Sequence, residues 1–76
     1  MSLSRWKPGT VVRIIAGGWT PRDRNAFWVV VGPGIYWESS HVCREDYPGE
    51  QINIRDDHIA QVTVLDRIAL ELGAVQ

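Results

Sequence analysis

Bulky apolar residues crowd the first half of the chain without a clean alternation, and only the last dozen positions settle into a helical period. Residues 10–16, TVVRIIA, are rich in β-branched side chains and lie between Pro8-Gly9 and Gly17-Gly18. Such a run between turn signals reads as a strand. Residues 26–32, AFWVVVG, give a second strand closed by Pro33-Gly34, and residues 35–44, IYWESSHVCR, a third entered through a two-residue hairpin. EDYPGE then turns around Pro48-Gly49, QINI at 51–54 is a fourth strand, RDDH a tight polar connection, and IAQVTV at 59–64 a fifth. Short strands at even spacing with Gly- and Pro-marked turns are the pattern of a small closed or nearly closed barrel, which removes the exposed edges of an antiparallel sheet.

In the tail, Val64, Leu65, Ile68, Ala69 and Leu72 fall on one helical face, with Asp66, Arg67 and Glu71 away from it. Thr63 is placed to cap this helix and Gly73 to end it, so residues 64–72 read as a short amphipathic helix packed on the barrel or on a neighbour. The rival is a fifth strand running on to Leu65.

Neither face of the first two strands is polar. Alternation puts Val12, Ile14 and Ala16 on one side of the first strand and Val11, Arg13 and Ile15 on the other. It separates Phe27, Val29 and Val31 from Trp28 and Val30 in the second. A sheet with one solvated face alternates cleanly, so something covers the outer face. A helix of about nine residues is only about 13 Å long and covers part of it. Self-association is therefore expected, as a homo-oligomer (dimer or tetramer), with Val11, Ile15, Trp28, Val30, Leu65, Ile68 and Leu72 as interface residues. The alternative is a monomer in which the helix alone shields that face.

Length sharpens the expectation. A 76-residue chain is read as one domain, 1–76, and at this size folding buries only about 60% of the unfolded surface. One cysteine excludes an internal disulfide and argues against a dedicated zinc site, which leaves partner subunits as the added source of stability. Eight basic and nine acidic residues give a net charge of -1, so no global field draws the chain to nucleic acid or anionic lipid. MSLSRWKPG lacks the apolar segment of a signal peptide, and no run approaches the roughly 18 apolar residues of a membrane span. With a free thiol, that reads as a cytoplasmic protein without a membrane partner.

KPGTVVRIIAGG resembles the opening of KOW-type and other SH3-like barrels. GTVVRIIAGGW, GIYWES and PGEQIN together are similar to the type II dihydrofolate reductase family, small SH3-like barrels that assemble as tetramers around one pore and travel on mobile elements as gene cassettes. The resemblance spans about half the chain. It implies an SH3-like barrel, self-association and a mobile-cassette setting; with the strands and helix read from the pattern, the expectation is a mainly β fold, a five-stranded SH3-like barrel over about 8–64 with a short C-terminal α-helix. Gln51 and Ile52 match the start of that family's Gln-Ile-Tyr run, but Asn53 stands at the tyrosine and Ile14 at the ligand-binding lysine. The groups that hold an anionic cofactor and stack on its ring are absent, so no cofactor and no reductase activity are expected.

The remaining chemistry is thin. TPRDRN brings Arg22 and Arg24 between Trp19 and Trp28, and arginines beside aromatic rings can hold a single-stranded base or a proline-rich peptide. Asp23 offsets them, and a charged loop tip also serves solubility. His41 and Cys43 share a strand face, and DDH places His58 beside two carboxylates. Both are read as ordinary packing and a solvated turn, with no metal site. Tyr36 and Trp37 face opposite ways, and Trp6 is read as capping an open barrel end. The reading is a non-enzymatic binding module for a small ligand or protein, with Trp19, Arg22, Arg24, Gln51, Ile52 and Asn53 as candidate ligand contacts. The alternatives are a KOW-like RNA- or DNA-binding module using Arg13, Arg22, Arg24 and Trp19, and an enzyme related to the type II reductases.

Overall fold

A computed structural model describes residues 6–73; the outermost residues of the predicted domain, 1–5 and 74–76, lie outside them. The chain is mainly β, with β1 Val11–Ile14, a one-turn helix α1 Pro21–Arg24, β2 Trp28–Pro33, β3 Ser39–Arg44 and β4 Tyr47–Arg55. A 3-10 turn, Asp56–His58, leads to β5 Ile59–Gln61 and the helix α2 Val64–Gly73. All pairings are antiparallel, in the order β4-β3-β2-β1-β5. β4 and β5 thus stand at opposite ends of the order, yet only three residues join them. In a flat sheet, with neighbours about 4.8 Å apart, these strands would be about 19 Å from each other, whereas a three-residue 3-10 turn spans about 6 Å. The sheet is therefore strongly rolled. Register shifts between Val30 and Gly32 and between Cys43 and Arg44 supply local bends of the kind that roll a sheet.

The concave side holds the core: Val12, Ile14, Ala26, Trp28, Val30, Val42, Ile54 and Ile59 are buried, with Trp6, Trp19 and Ile52 packed against them. This overturns part of the expected interface. Trp28 and Val30 are 0% and 1% exposed and belong to the interior, not to an outer face. Val12 lies directly opposite Trp28, and Val11 opposite Val29. That register puts Trp28 on the same side as Val12 and Ile14, a phase that alternation within each strand cannot fix. The buried indole also has a partner, its Nε1–H donating to the Asp23 carbonyl at 3.0 Å. Val11 and Val29 are half-buried and Ile15 and Val31 exposed, on the convex side.

Element boundaries differ from the sequence reading where side chains redirect the backbone. β3 begins at Ser39, not at residue 35. Glu38 adopts φ 55°, and the buried Ser39 hydroxyl donates to the Tyr36 carbonyl at 2.6 Å and accepts from its N–H at 3.1 Å, so residues 35–38 form a capped turn in place of a two-residue hairpin. A Cβ at Gly34 would come within 2.9 Å of the Ser39 backbone, a close approach that only glycine permits. Pro48 and Gly49 lie inside β4, and the turn falls at Glu45–Asp46. The corner at Asp56 is tied from three sides: Ser40 Oγ donates to its buried carboxylate, Trp6 Nε1 to its carbonyl at 3.3 Å, and its own N–H to the Glu38 carbonyl at 2.8 Å. None of the described helices is long and apolar enough to cross a membrane.

Helix α2 starts where the sequence places it. Thr63 Oγ1 accepts from the Asp66 N–H at 3.1 Å, and Asp66 Oδ2 from the Thr63 N–H at 3.3 Å, a reciprocal cap. It does not shield the sheet with its apolar stripe. Its described tether to the body is Arg67, whose guanidinium forms a two-pronged ion pair with Glu45 (Nη1 to Oε2 2.6 Å), lies 4.6 Å from the centroid of the Phe27 ring, and reaches Glu71 at 3.4 Å.

Candidate functional site

The loop between β1 and β2 is more structured than its composition predicts. Thr20 caps α1, accepting from the Asp23 N–H at 3.4 Å, and Pro21 occupies the first turn, where its missing N–H costs nothing. One consequence is that Arg22 and Arg24 leave the loop in different surroundings. Arg22 reaches Glu50 on β4 at 3.0 Å, and Glu50 also pairs with Arg44 at 3.3 Å, which in turn binds Asp46 at 2.8 Å. The hydrogen bond from Arg22, opposed by desolvation and reinforced by Arg44, holds the Glu50 carboxyl below the usual carboxylate range. Asp46 and Glu50 hold the Arg44 guanidinium above its ordinary value, and Glu45 with Glu71 does the same for Arg67. A depression of about 390 Å³ lies among Arg22, Phe27, Arg44, Glu45, Asp46 and Arg67, but its cations are already matched by carboxylates.

The other predicted contacts do not gather around this loop. Trp19 is half-buried against the core. It covers Gly17, whose φ of 98° suits glycine and where a Cβ would lie 3.2 Å from the Trp19 ring and from His58 Nδ1. Gln51 is exposed on the convex side opposite Cys43; its Oε1 accepts from His41 Nε2 at 2.6 Å and its amide donates to the Pro48 carbonyl at 3.4 Å. Asn53 Oδ1 accepts from the Ile35 N–H at 3.2 Å and so holds the β2–β3 turn. Ile52, on the alternate face, packs against the core opposite Val42. The Gln51–Asn53 run is thus separate from Trp19 and Arg24, although Arg22 touches β4 next to it through Glu50. Among the described residues, no three His, Cys, Asp or Glu side chains are grouped as a metal ion requires.

Two arginines remain without a carboxylate among the described residues. Arg13, half-buried on β1, and Arg24, the exposed last residue of α1, line one depression of about 240 Å³ with Ile14, Pro21 and Asn25. Arg13 Nη2 lies 3.5 Å from the Arg24 carbonyl, the outer limit of a hydrogen bond. Asn25 was not singled out by the sequence reading. The Thr-Pro start of a helical turn four residues earlier was the signal that would have placed it at the turn's end. Comparison of the chain with protein families, with curated proteins and with solved structures finds no match.

Proposed function

We propose that this chain is a self-associating, non-enzymatic binding module built on a small SH3-like barrel, of the general plan of the type II reductase cassettes but without their chemistry. The observation that carries self-association is the orientation of α2. Amphipathic surface helices ordinarily turn the apolar stripe to the body. Here Val64, Leu65, Ile68 and Leu72 are 48–78% exposed, while Arg67 tethers the helix. Ile15, exposed just after β1, lies beside the helix in a cleft of about 320 Å³ whose lining mixes Ala60, Val62 and Ala69 with Arg13, Gln61 and Asp66. Exposed apolar side chains concentrated on one helix are what an interface presents. A second copy presents the same surface, so a two-fold arrangement buries both stripes at once. Of the expected interface residues, Ile15, Leu65, Ile68 and Leu72 stay in this proposal, while Val11 is half-buried on the sheet.

The reductase alternative loses support because Ile14, matched to the family's lysine, is 4% exposed in the core, and the Asn53 side-chain Oδ1 accepts from the Ile35 N–H. The nucleic-acid alternative keeps Arg13 and Arg24 but loses support at Arg22, which is paired with Glu50, and at Trp19, which packs against the core, while Arg44, Arg55 and Arg67 are paired with acids and add no cationic surface. Light scattering over a concentration series tests the reading. The parent is expected to be a dimer or tetramer, and Leu65→Glu with Leu72→Glu a monomer that keeps its circular dichroism and cooperative melting. A parent that stays monomeric at all concentrations overturns it.

A further inference from the structure

We infer that Arg13, Arg24 and Asn25 form a binding site for a compact oxyanion, a phosphate or a carboxylate. The inference goes beyond self-association and does not rest on it, because all three residues belong to one chain; Arg13 also borders the cleft beside α2, so the test is run on the assembled and the dissociated forms. Arg22, Arg44, Arg55 and Arg67 each reach an Asp or Glu within 4 Å. Arg13 and Arg24 reach none among the described residues, and yet the fold brings these two to one depression whose lining contains no acid. An anion bound there would meet two cations that have no carboxylate of their own among the described residues.

The supporting geometry is fixed by the backbone. Arg13 extends from the middle of β1, paired with Ala60 of β5, and its guanidinium rests against the end of α1 through the Arg24 carbonyl. Asn25 closes α1, its own N–H satisfied by the Asp23 and Pro21 carbonyls, while its carboxamide makes no hydrogen bond among the described residues. The residues that line the depression carry between them two guanidinium forks and an amide with two N–H donors. That donor set suits the planar or tetrahedral oxygens of a carboxylate or phosphate. Two cations in a shallow hollow of about 240 Å³ fit one small anionic group. They are too few and too isolated to track a polymer backbone on a surface whose other described arginines are neutralised.

The test is a titration followed by the backbone and side-chain N–H resonances, with inorganic phosphate in one arm and acetate in the other, at constant ionic strength. It is run on the parent and on the Leu65→Glu, Leu72→Glu form, so that failure of assembly and failure of anion binding are told apart. The expected result is saturable shifts at Arg13 Nε–H, Arg24 Nε–H and the Asn25 amide, with a Kd of about 1–10 mM. Arg24→Gln weakens this at least about tenfold, and Arg22→Gln, whose cation is paired with Glu50, leaves it unchanged. Tighter binding of phosphate or of acetate identifies the preferred group. In buffer free of both, Arg24→Gln is expected to melt no lower than the parent, and phosphate to raise the melting temperature of the parent alone. Shifts that never saturate, or that persist unchanged in Arg24→Gln, overturn the inference.

Discussion

At the scale of single residues, stability is tuned by carboxylates that guanidinium groups hold ionised. Glu50 is the clearest case. Unfolded, a glutamate takes up its proton near pH 4.3; in the fold, hydrogen bonds from Arg22 and Arg44 delay protonation to lower pH. Between those two values the unfolded chain binds more protons, so stability rises with pH across that window. The contribution is complete above the ordinary glutamate value and is lost as pH falls through the folded one. The stability gap between the parent and Glu50→Gln, measured by urea unfolding from about pH 2.5 to 6, should be widest at the upper end and shrink on acidification. The sequence showed these charges but not their partners: Arg22 and Glu50 are 28 positions apart. It was equally silent on Trp28, where the alternation was legible but the side was not. That side depends on which residue of β1 stands opposite, and register is a property of two strands together.

At the scale of elements, the strongest local signals were also the most accurate. Thr63 as helix cap, the period of 64–72 and the existence of five strands were all readable from spacing and turn chemistry. The short α1 was hidden inside a run that looked like loop, because one turn is too short to establish a period. The β2–β3 turn was misread because Ser39 and Glu38 override the Pro-Gly signal just before it. What holds α2 was not legible either, since Arg67 meets Glu45 and Phe27 across 22 and 40 positions. Arg67→Met keeps much of the stem and removes both the ion pairs and the charge over the ring. Amide exchange in α2 should then become several-fold faster while the β2–β3–β4 amides are unchanged. Thr63→Ala should cost the helix about 1 kcal/mol without detaching it. Equal loss of protection in both regions of Arg67→Met would show that the helix is not held as described.

At the scale of the whole molecule, the roll of the sheet decides what neighbours what. β2, β3 and β4 follow one another as a meander, so their pairings are local in sequence. β1 meets β5 through Val12 and Gln61, Arg13 and Ala60, Ile14 and Ile59, contacts that enclose most of the chain. Such a seam carries the larger loop-closure entropy. Hydrogen exchange should therefore find β5 less protected than β3. The three-residue turn at Asp56–His58 gives this seam a further meaning. Because β5 runs on to α2 through only Val62 and Thr63, the strand that completes the β1 seam and the helix with the exposed apolar stripe are consecutive in the chain. On the proposed self-association, a second copy seated on that stripe would hold β5 against β1 and so act as a latch on the seam.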